Sequence, residues 1–192
     1  MNKLIVPSLI AALAVFIWGS ISWMVLSWHD IDLNNFPDET EIMHMKAVVH
    51  EPGIYVYPGQ PTDETDAGME EWIKQYEAGP VISFMVYSPA GFNPMNPMLF
   101  IKSFIINFIA AFIAGALMMM TLAQKPGFWR RVIFVMLLGL FAGFIGPFSE
   151  WNWWNFPTGY TLVNVADFCV TWFIAGLILA WRIKPEANLK TT

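Results

Sequence analysis

Four long apolar runs constrain this chain more than any other feature of its sequence. They cover residues 4–27, 99–123, 132–148 and 160–181 and are nearly free of charged side chains. A helix of about 17–25 apolar residues crosses the roughly 30 Å hydrocarbon core of a bilayer. The runs lack the apolar–polar alternation of barrel strands, so a transmembrane β-barrel is not expected. The sequence therefore predicts four membrane-spanning helices.

Composition supports this fold class, a mainly α, four-helix transmembrane bundle. Hydrophobic residues make up 56% of the chain and charged residues 13%, against about a quarter charged in soluble proteins. The first run follows Asn2 and Lys3, as the core of a secretory signal would. It is longer than the usual core of about 7–15 residues, so we interpret it as a retained anchor.

The predicted organisation alternates spans with connections of very different length. The spans are assigned to residues 1–27, 99–123, 132–148 and 160–182, the connections to 28–98, 124–131 and 149–159, and a tail to 183–192. The long connection contains twelve acidic residues and two lysines. Basic residues cluster instead beside the other ends of the spans, at Lys3, Lys125, Arg130, Arg131, Arg182, Lys184 and Lys190. The positive-inside rule then predicts that both termini and 124–131 are cytoplasmic, with 28–98 and 149–159 outside.

The long connection carries signals for a small α+β cap. Asp38, with Glu41 three residues later, is typical of a helix start. A β-branched and aromatic run at 54–57 predicts a strand. Residues 66–78 predict a second helix ended by Gly79 and Pro80, and residues 81–87 a second strand. We therefore expect an extracytoplasmic cap between spans 1 and 2.

Asp167 is an ionisable residue inside the fourth run. Asn164 and Thr171 share its helical face by their spacing. A carboxylate at this depth costs roughly 2.5–3.5 kcal/mol on insertion scales, so it is expected to face the bundle interior and find a partner. Candidate partners are Asn107 and Ser103 of the second span or a serine of the first. The residue forms either an interhelical hydrogen bond or a proton- or ligand-handling site.

The segment 149–159 places Glu150 beside Trp151, Trp153 and Trp154. Tryptophan prefers the headgroup zone of a membrane, so the simpler interpretation is an aromatic belt that fixes the depth of the bundle. The alternative is a pocket at the outer interface, for which Glu150, Trp151, Trp154 and His29 are the candidate residues.

Glycines in the second and third spans predict close helix packing. Gly139 and Gly143 in span 3, and Gly115 in span 2, are spaced to let helix backbones approach each other. We expect Gly143 to lie in a contact between spans 2 and 3.

Metal and cofactor sites are not predicted. The three histidines, His29, His44 and His50, all lie in the long connection and lack the spacing of a helical zinc site. Cys169 is the single cysteine, so no disulfide forms within the chain. Phosphate-binding loops, catalytic residue groupings and nucleic-acid-binding patches are also not visible.

The segments 17-IWGSISWMVLSWH-29, 53-GIYVYP-58 and 151-WNWWNFP-157 resemble a family of bacterial four-span membrane proteins with no assigned activity. The resemblance implies the four-span architecture and a bacterial cytoplasmic (inner) membrane. It implies no site residues.

The function expected from these features is a non-catalytic accessory, scaffold or assembly subunit of a bacterial membrane complex. Its partners would be membrane lipids and either other membrane subunits or further copies of itself, with no nucleic acid. One alternative is a transporter or channel-like protein that uses Asp167, which a water path to that residue would favour. Another is a membrane enzyme acting on a lipid or quinone, which a lipid-sized pocket ending at Glu150 would favour.

Overall fold

The computed structural model describes residues 2–185 of this chain and is mostly helical. The predicted tail beyond residue 185, with Lys190, lies outside the described residues. The elements in chain order are α1 (Asn2–Met24), a 3₁₀ turn (Ser27–Asp32), α2 (Glu39–Val48), β1 (Gly53–Tyr57), α3 (Asp66–Ala78), β2 (Ile82–Tyr87), α4 (Pro97–Met120), a second 3₁₀ turn (Leu122–Gln124), α5 (Phe128–Trp154) and α6 (Thr158–Arg182).

Four of these helices, α1, α4, α5 and α6, are long and apolar enough to cross a membrane, as in a multi-pass membrane protein. Over the most apolar 18-residue stretch of each of these helices, the mean hydropathy lies between 2.0 and 2.3. We refer to the end where α1 stops and α4 starts as the His29 end, and to the end where α4 stops and α5 starts as the Lys125 end. Asn96 caps α4 at the His29 end, because its side chain accepts a hydrogen bond from the Met98 amide at 3.0 Å.

The third apolar helix is longer than the sequence indicated. Residues 149–154, expected in a connection, continue α5 to Trp154. Pro147 lies inside the helix, and membrane helices tolerate proline when neighbouring groups satisfy the freed backbone. The actual stop is Asn155, whose left-handed backbone (φ 54°) turns its amide onto the Glu150 carbonyl. Asparagine is one of the few residues that adopt this conformation readily.

The chain divides into two compact units, one formed by Asn34–Asn93 and the other by the residues on either side of it. In the larger unit, α1 packs against both α4 and α6, and α6 packs against α5, whereas α4 and α5 contact each other little. The core of this unit is built mainly from small side chains, which allow close helix approach. Its buried residues are Ala11, Val15, Ala111, Ala114, Met118, Val132, Val135, Ala175, Leu179, Ala180 and Ile183.

Gly139 and Gly143 of α5 pack against α6, so the expected contact between spans 2 and 3 through Gly143 is wrong. A Cβ on Gly143 would lie 3.2 Å from the Cβ of Phe168 in α6, and a Cβ on Gly139 would collide with the Trp172 side chain. The helix order explains this, because α5 packs mainly against α6 and contacts α4 only a little.

Gly115 of α4 faces α1 and α6 instead of α5. A Cβ added there would lie 2.7 Å from Leu4 of α1 and 3.4 Å from Leu179 of α6. The absence of a side chain at this position therefore permits a three-helix contact near the Lys125 end.

The smaller unit contains two helices and a two-stranded antiparallel sheet. β1 pairs with β2 so that Gly53 lies opposite Tyr87 and Tyr55 opposite Met85. The N-cap of α2 is Asp38, and hydrogen bonds from the Thr40 amide and hydroxyl lower the pKa of this exposed carboxyl. Helix α3 is tied to the segment after β1 by a hydrogen bond from Trp72 Nε1 to the Gly59 carbonyl at 2.7 Å.

Candidate functional site

The carboxylate of Asp167 lies in the contact between α6 and α1. Its Oδ1 accepts hydrogen bonds from Trp18 Nε1 at 2.7 Å and from Ser22 Oγ at 2.9 Å. Both donors belong to α1 and are four residues apart, so they lie one above the other on the same helical face. A serine of the first span was among the partners expected for Asp167. The two bonds join the first and last apolar helices.

His29 completes this cluster from the 3₁₀ turn that follows α1. The turn reverses the chain, and His29 Nε2 comes within 3.0 Å of Ser22 Oγ and 3.7 Å of Asp167 Oδ2. The imidazole is only 2% exposed. It stacks on Trp23, with ring centroids 3.7 Å apart, and meets the Trp28 ring edge-on at 5.5 Å. Indole rings thus shield the histidine from solvent.

The hydrogen bonds of Ser22 determine which nitrogen of His29 carries a proton. Trp28 Nε1 donates to Ser22 Oγ at 3.0 Å, and the single hydroxyl proton of Ser22 is donated to Asp167. A hydroxyl oxygen has one proton to give and two lone pairs to accept with. His29 Nε2 must therefore be the donor to Ser22 Oγ. Within the described residues, the buried His29 Nδ1 has no hydrogen-bond partner.

The electrostatics of the cluster favour neutral His29. Burial lowers the pKa of the His29 imidazole below its ordinary value, and the carboxylates of Asp167 and Asp30 offset only part of this effect. A neutral ring with its proton on Nε2 leaves Nδ1 as an unprotonated acceptor. The Asp167 carboxylate is therefore surrounded by uncharged hydrogen-bond donors.

The same 3₁₀ turn is held at a second point on α6. Asp32 Oδ2 accepts a hydrogen bond from the Tyr160 amide at 2.7 Å, in the first turn of α6. A carboxylate is favoured there by the unpaired amides and the positive end of the helix dipole. Gly159 lies directly against Asp32, where a Cβ would collide with the carboxylate. The turn is thus fixed to α6 by Asp32 as well as by His29.

A groove lies beside this cluster, between α1, α4 and α6 near the His29 end. It has a volume of about 410 Å³ and Asp167 forms part of its wall. Ser103 and Asn107 of α4 and Thr171 of α6 also line it. The side chains of these three residues make no hydrogen bond to any of residues 2–185. We call this cavity the α1–α4–α6 groove.

Asn107 has an unusual position for a polar residue. It lies roughly 15 Å along α4 from the helix start at Pro97, given a rise of about 1.5 Å per residue, which is near the middle of an apolar helix. An amide in hydrocarbon without a hydrogen-bond partner costs several kcal/mol on water-to-alkane scales, of order 4–8 kcal/mol. The groove therefore presents polar groups that a ligand or another helix would satisfy.

The other sequence-predicted site residues are distributed as follows. Asn164 does not join the Asp167 cluster, because its amide donates to the Tyr160 carbonyl of its own helix at 2.8 Å. Asn107 and Thr171 line the groove with Asp167 but form no hydrogen bond to it in the described part of the chain.

The structure places the four residues expected at an outer-interface pocket, Glu150, Trp151, Trp154 and His29, in different surroundings. The three residues of α5 are exposed, with Trp151 at 43% and Trp154 at 42%, while His29 is buried in the Asp167 cluster. Trp151 Nε1 instead donates to Thr158 Oγ1 at 3.1 Å and ties the end of α5 to the start of α6. The physical cause is the helical continuation to Trp154, which spreads these side chains around a helix surface.

In residues 2–185, no group of three histidine, cysteine, aspartate or glutamate side chains is arranged to hold a metal ion. His44 and His50 belong to the smaller unit, whereas His29 belongs to the larger one.

Trp18 and Trp23 belong to the site but were not predicted from the sequence, and neither was Lys102, a charged residue within α4. The i, i+4 spacing of Trp18 and Ser22 is a signal that was available in 18-WGSIS-22. Lys102 is exposed near the start of α4, where a long side chain can extend its ammonium group toward the membrane surface.

Comparison of this chain with protein-family models, with curated proteins and with solved structures finds no match. The resemblance of its three aromatic segments to four-span bacterial proteins stays a prediction. Its function is inferred from its own residues.

Proposed function

We propose that this protein is a non-catalytic accessory or scaffold subunit of a bacterial membrane complex, and that its α1–α4–α6 groove binds a transmembrane helix of another protein. The four apolar helices form a bundle in the cytoplasmic membrane with both termini in the cytoplasm. The acidic smaller unit forms an extracytoplasmic cap. The distribution of basic residues supports this orientation.

The observation that carries the proposal is Asn107 without a hydrogen-bond partner in the middle of α4. Polar side chains within apolar helices stabilise helix association, because their hydrogen bonds are satisfied across the interface. Ser103 lies one turn away on the same helix and Thr171 lines the opposite side of the groove. A partner helix lying in the groove would reach all three.

The apolar helices also leave much surface for partners. In the most apolar 18-residue stretch of each of the four helices, only 17–28% of the residues are buried within the chain. Lipid covers such surface in any membrane protein, so this exposure is compatible with partners and does not require them. The polar side chains that line the α1–α4–α6 groove cannot form hydrogen bonds with lipid chains. The groove is therefore the part of that surface for which lipid is the poorest partner.

Asp167 acts in this proposal as a structural residue. Its two hydrogen bonds from α1, with His29 behind them, hold α1 and α6 in the arrangement that forms one side of the groove.

The proposal is tested by the size of the complex extracted from native membranes in a mild detergent. Asn107→Leu removes the amide and should weaken partner binding about 5- to 30-fold, as expected for an interhelical asparagine hydrogen bond of about 1–2 kcal/mol. The control is Ile106→Leu, since Ile106 is 64% exposed on α4 and does not line the groove. A complex that is unchanged by Asn107→Leu would contradict the proposal. A complex whose mass is a multiple of 21.8 kDa would identify the partner as a second copy of this chain.

A transporter or channel-like protein is the second candidate, and one observation favours it. Asp167 lines the groove while lying 3.7 Å from His29, so a protonatable pair borders a cavity. Asp167→Asn distinguishes the two functions: a transporter loses activity with its fold intact, whereas a subunit keeps both its stability and its cellular role.

A further inference from the structure

A second groove, at the Lys125 end of the apolar helices, combines an apolar floor with a basic rim. Its volume is about 950 Å³. The apolar side includes Val6 and Pro7 of α1, Met119 of α4, Leu122 of the second 3₁₀ turn and Trp181 of α6. The rim carries four cations, Lys3, Lys125, Arg182 and Lys184.

We propose that this basic groove binds an anionic phospholipid, with the phosphate against the rim and an acyl chain along the apolar floor. The residues that line it in the described part of the chain include four basic side chains and no aspartate or glutamate. Basic pockets between transmembrane helices are a recurrent means of binding anionic headgroups. Neither Asp167 nor the α1–α4–α6 groove takes part, so this inference is independent of the proposed function.

The four cations come from three separate parts of the chain. Lys3 lies in the first turn of α1, Lys125 follows the second 3₁₀ turn, and Arg182 and Lys184 lie at and beyond the end of α6. Packing of α1 against α4 and α6 brings them to one rim. The fold therefore concentrates positive charge that is dispersed in the sequence.

Arg182 is held in position by its neighbour. The Arg182 guanidinium carbon lies 5.2 Å from the centre of the Trp181 ring, within the range of a cation–π contact. Arginine can present two parallel N–H donors to a phosphate. Arg182 is thus placed beside Trp181 in the wall of the groove, where its guanidinium can contact a headgroup phosphate and the indole suits the headgroup zone that tryptophan prefers.

The apolar floor selects a lipid over a soluble phosphate. An inorganic phosphate or a glycerophosphate would gain the electrostatic attraction of the rim but nothing from Val6, Met119 or Leu122. A lipid places its phosphate at the end of the apolar helices, where headgroups lie, and keeps its chain in contact with the floor.

The test is a lipid titration of the purified, delipidated protein in a neutral detergent, followed by native mass spectrometry. The probes are phosphatidylglycerol and phosphatidylcholine with the same acyl chains, and glycerol 3-phosphate as a soluble competitor. We expect tighter binding of phosphatidylglycerol. Its dissociation constant should rise about fivefold in Lys184→Gln and about 25-fold in Arg182→Gln/Lys184→Gln, following the attraction of a basic residue for an anionic surface.

Arg130→Gln is the matched control, because Arg130 is an exposed basic residue at the same end but does not line the basic groove. It should leave the dissociation constant within twofold of the unchanged protein. Lys184 lies two residues beyond the end of α6, so Lys184→Gln keeps the test informative if the double variant fails to fold. Equal binding of the two lipids, an equal loss in Arg130→Gln, or displacement of the lipid by similar concentrations of glycerol 3-phosphate would each overturn the proposal.

Discussion

Replacement of Asp167 by leucine tests whether this carboxylate joins α1 to α6. The substitution removes the acceptor of two hydrogen bonds, from Trp18 Nε1 at 2.7 Å and Ser22 Oγ at 2.9 Å. Interhelical hydrogen bonds in membrane proteins contribute about 0.6 kcal/mol on average and about 1.7 kcal/mol at most. For two bonds, we expect the free energy of unfolding to fall by about 1–3 kcal/mol.

The assay is equilibrium unfolding in detergent micelles, followed by circular dichroism. Thr171→Val is the matched control, since Thr171 lies one turn along the same helix and makes no hydrogen bond in the described structure; it should change the unfolding free energy by less than about 0.5 kcal/mol. Asp167→Asn keeps an acceptor oxygen and removes a charge, so its stability should hold.

A double-mutant cycle isolates one of the two bonds. Combining Ser22→Ala with Asp167→Leu should reveal a coupling of about 0.6–1.7 kcal/mol. The reasoning is refuted if Asp167→Leu destabilises no more than Thr171→Val, or if the coupling is zero.

Three further predictions concern packing, pH and orientation. Gly139→Ala should lower the unfolding free energy by about 1–3 kcal/mol, because the added Cβ collides with an indole of α6. Gly146→Ala should leave the unfolding free energy unchanged, because the space around Gly146 is open. Equal effects of the two substitutions on thermal unfolding in detergent would exclude this packing. The pKa of His29 is lowered in the folded protein. The neutral His29 imidazole therefore contributes to the free energy of unfolding, fully above about pH 6.5. This contribution is lost as the pH falls toward the pKa of the folded protein. His29→Gln should therefore flatten the stability profile below about pH 6.5, and an unchanged profile would refute the role of His29. In a cysteine-free background, an impermeant thiol reagent applied to intact cells should label Gly59→Cys and not Lys125→Cys, and the reverse pattern would invert the proposed orientation.

The four apolar helices were predictable because a membrane span needs a long charge-poor run, and such runs are visible without any contact information. The ends of α5 were harder. Pro147 and the tryptophans after it have the composition of a connection, but the helix stops only where Asn155 adopts a left-handed conformation. The start of α3 follows from local chemistry, since Thr65 Oγ1 accepts a hydrogen bond from the Gly68 amide.

The candidate site was predictable only in part. A carboxylate inside an apolar helix requires a partner, so Asp167 was identifiable from its energetic cost. The contribution of His29 depends on the 3₁₀ turn that folds the chain back over α1, and sequence alone gives no signal for that reversal. The partner of Gly143 depends on the order in which the helices pack, which the sequence of one chain does not specify.

Photo-crosslinking in intact native membranes tests most directly whether the α1–α4–α6 groove binds a partner helix. A photoreactive phenylalanine analogue replaces Phe100 in one variant and Ile101 in the other, so that adjacent residues report on the groove and on the exposed surface of α4 while Asn107 is kept. The proposal predicts a discrete protein adduct from position 100, of one mass and absent from position 101, and its loss when Thr171 is replaced by a bulky residue. Lipid adducts alone from position 100, or the same protein adducts from both positions, would contradict it.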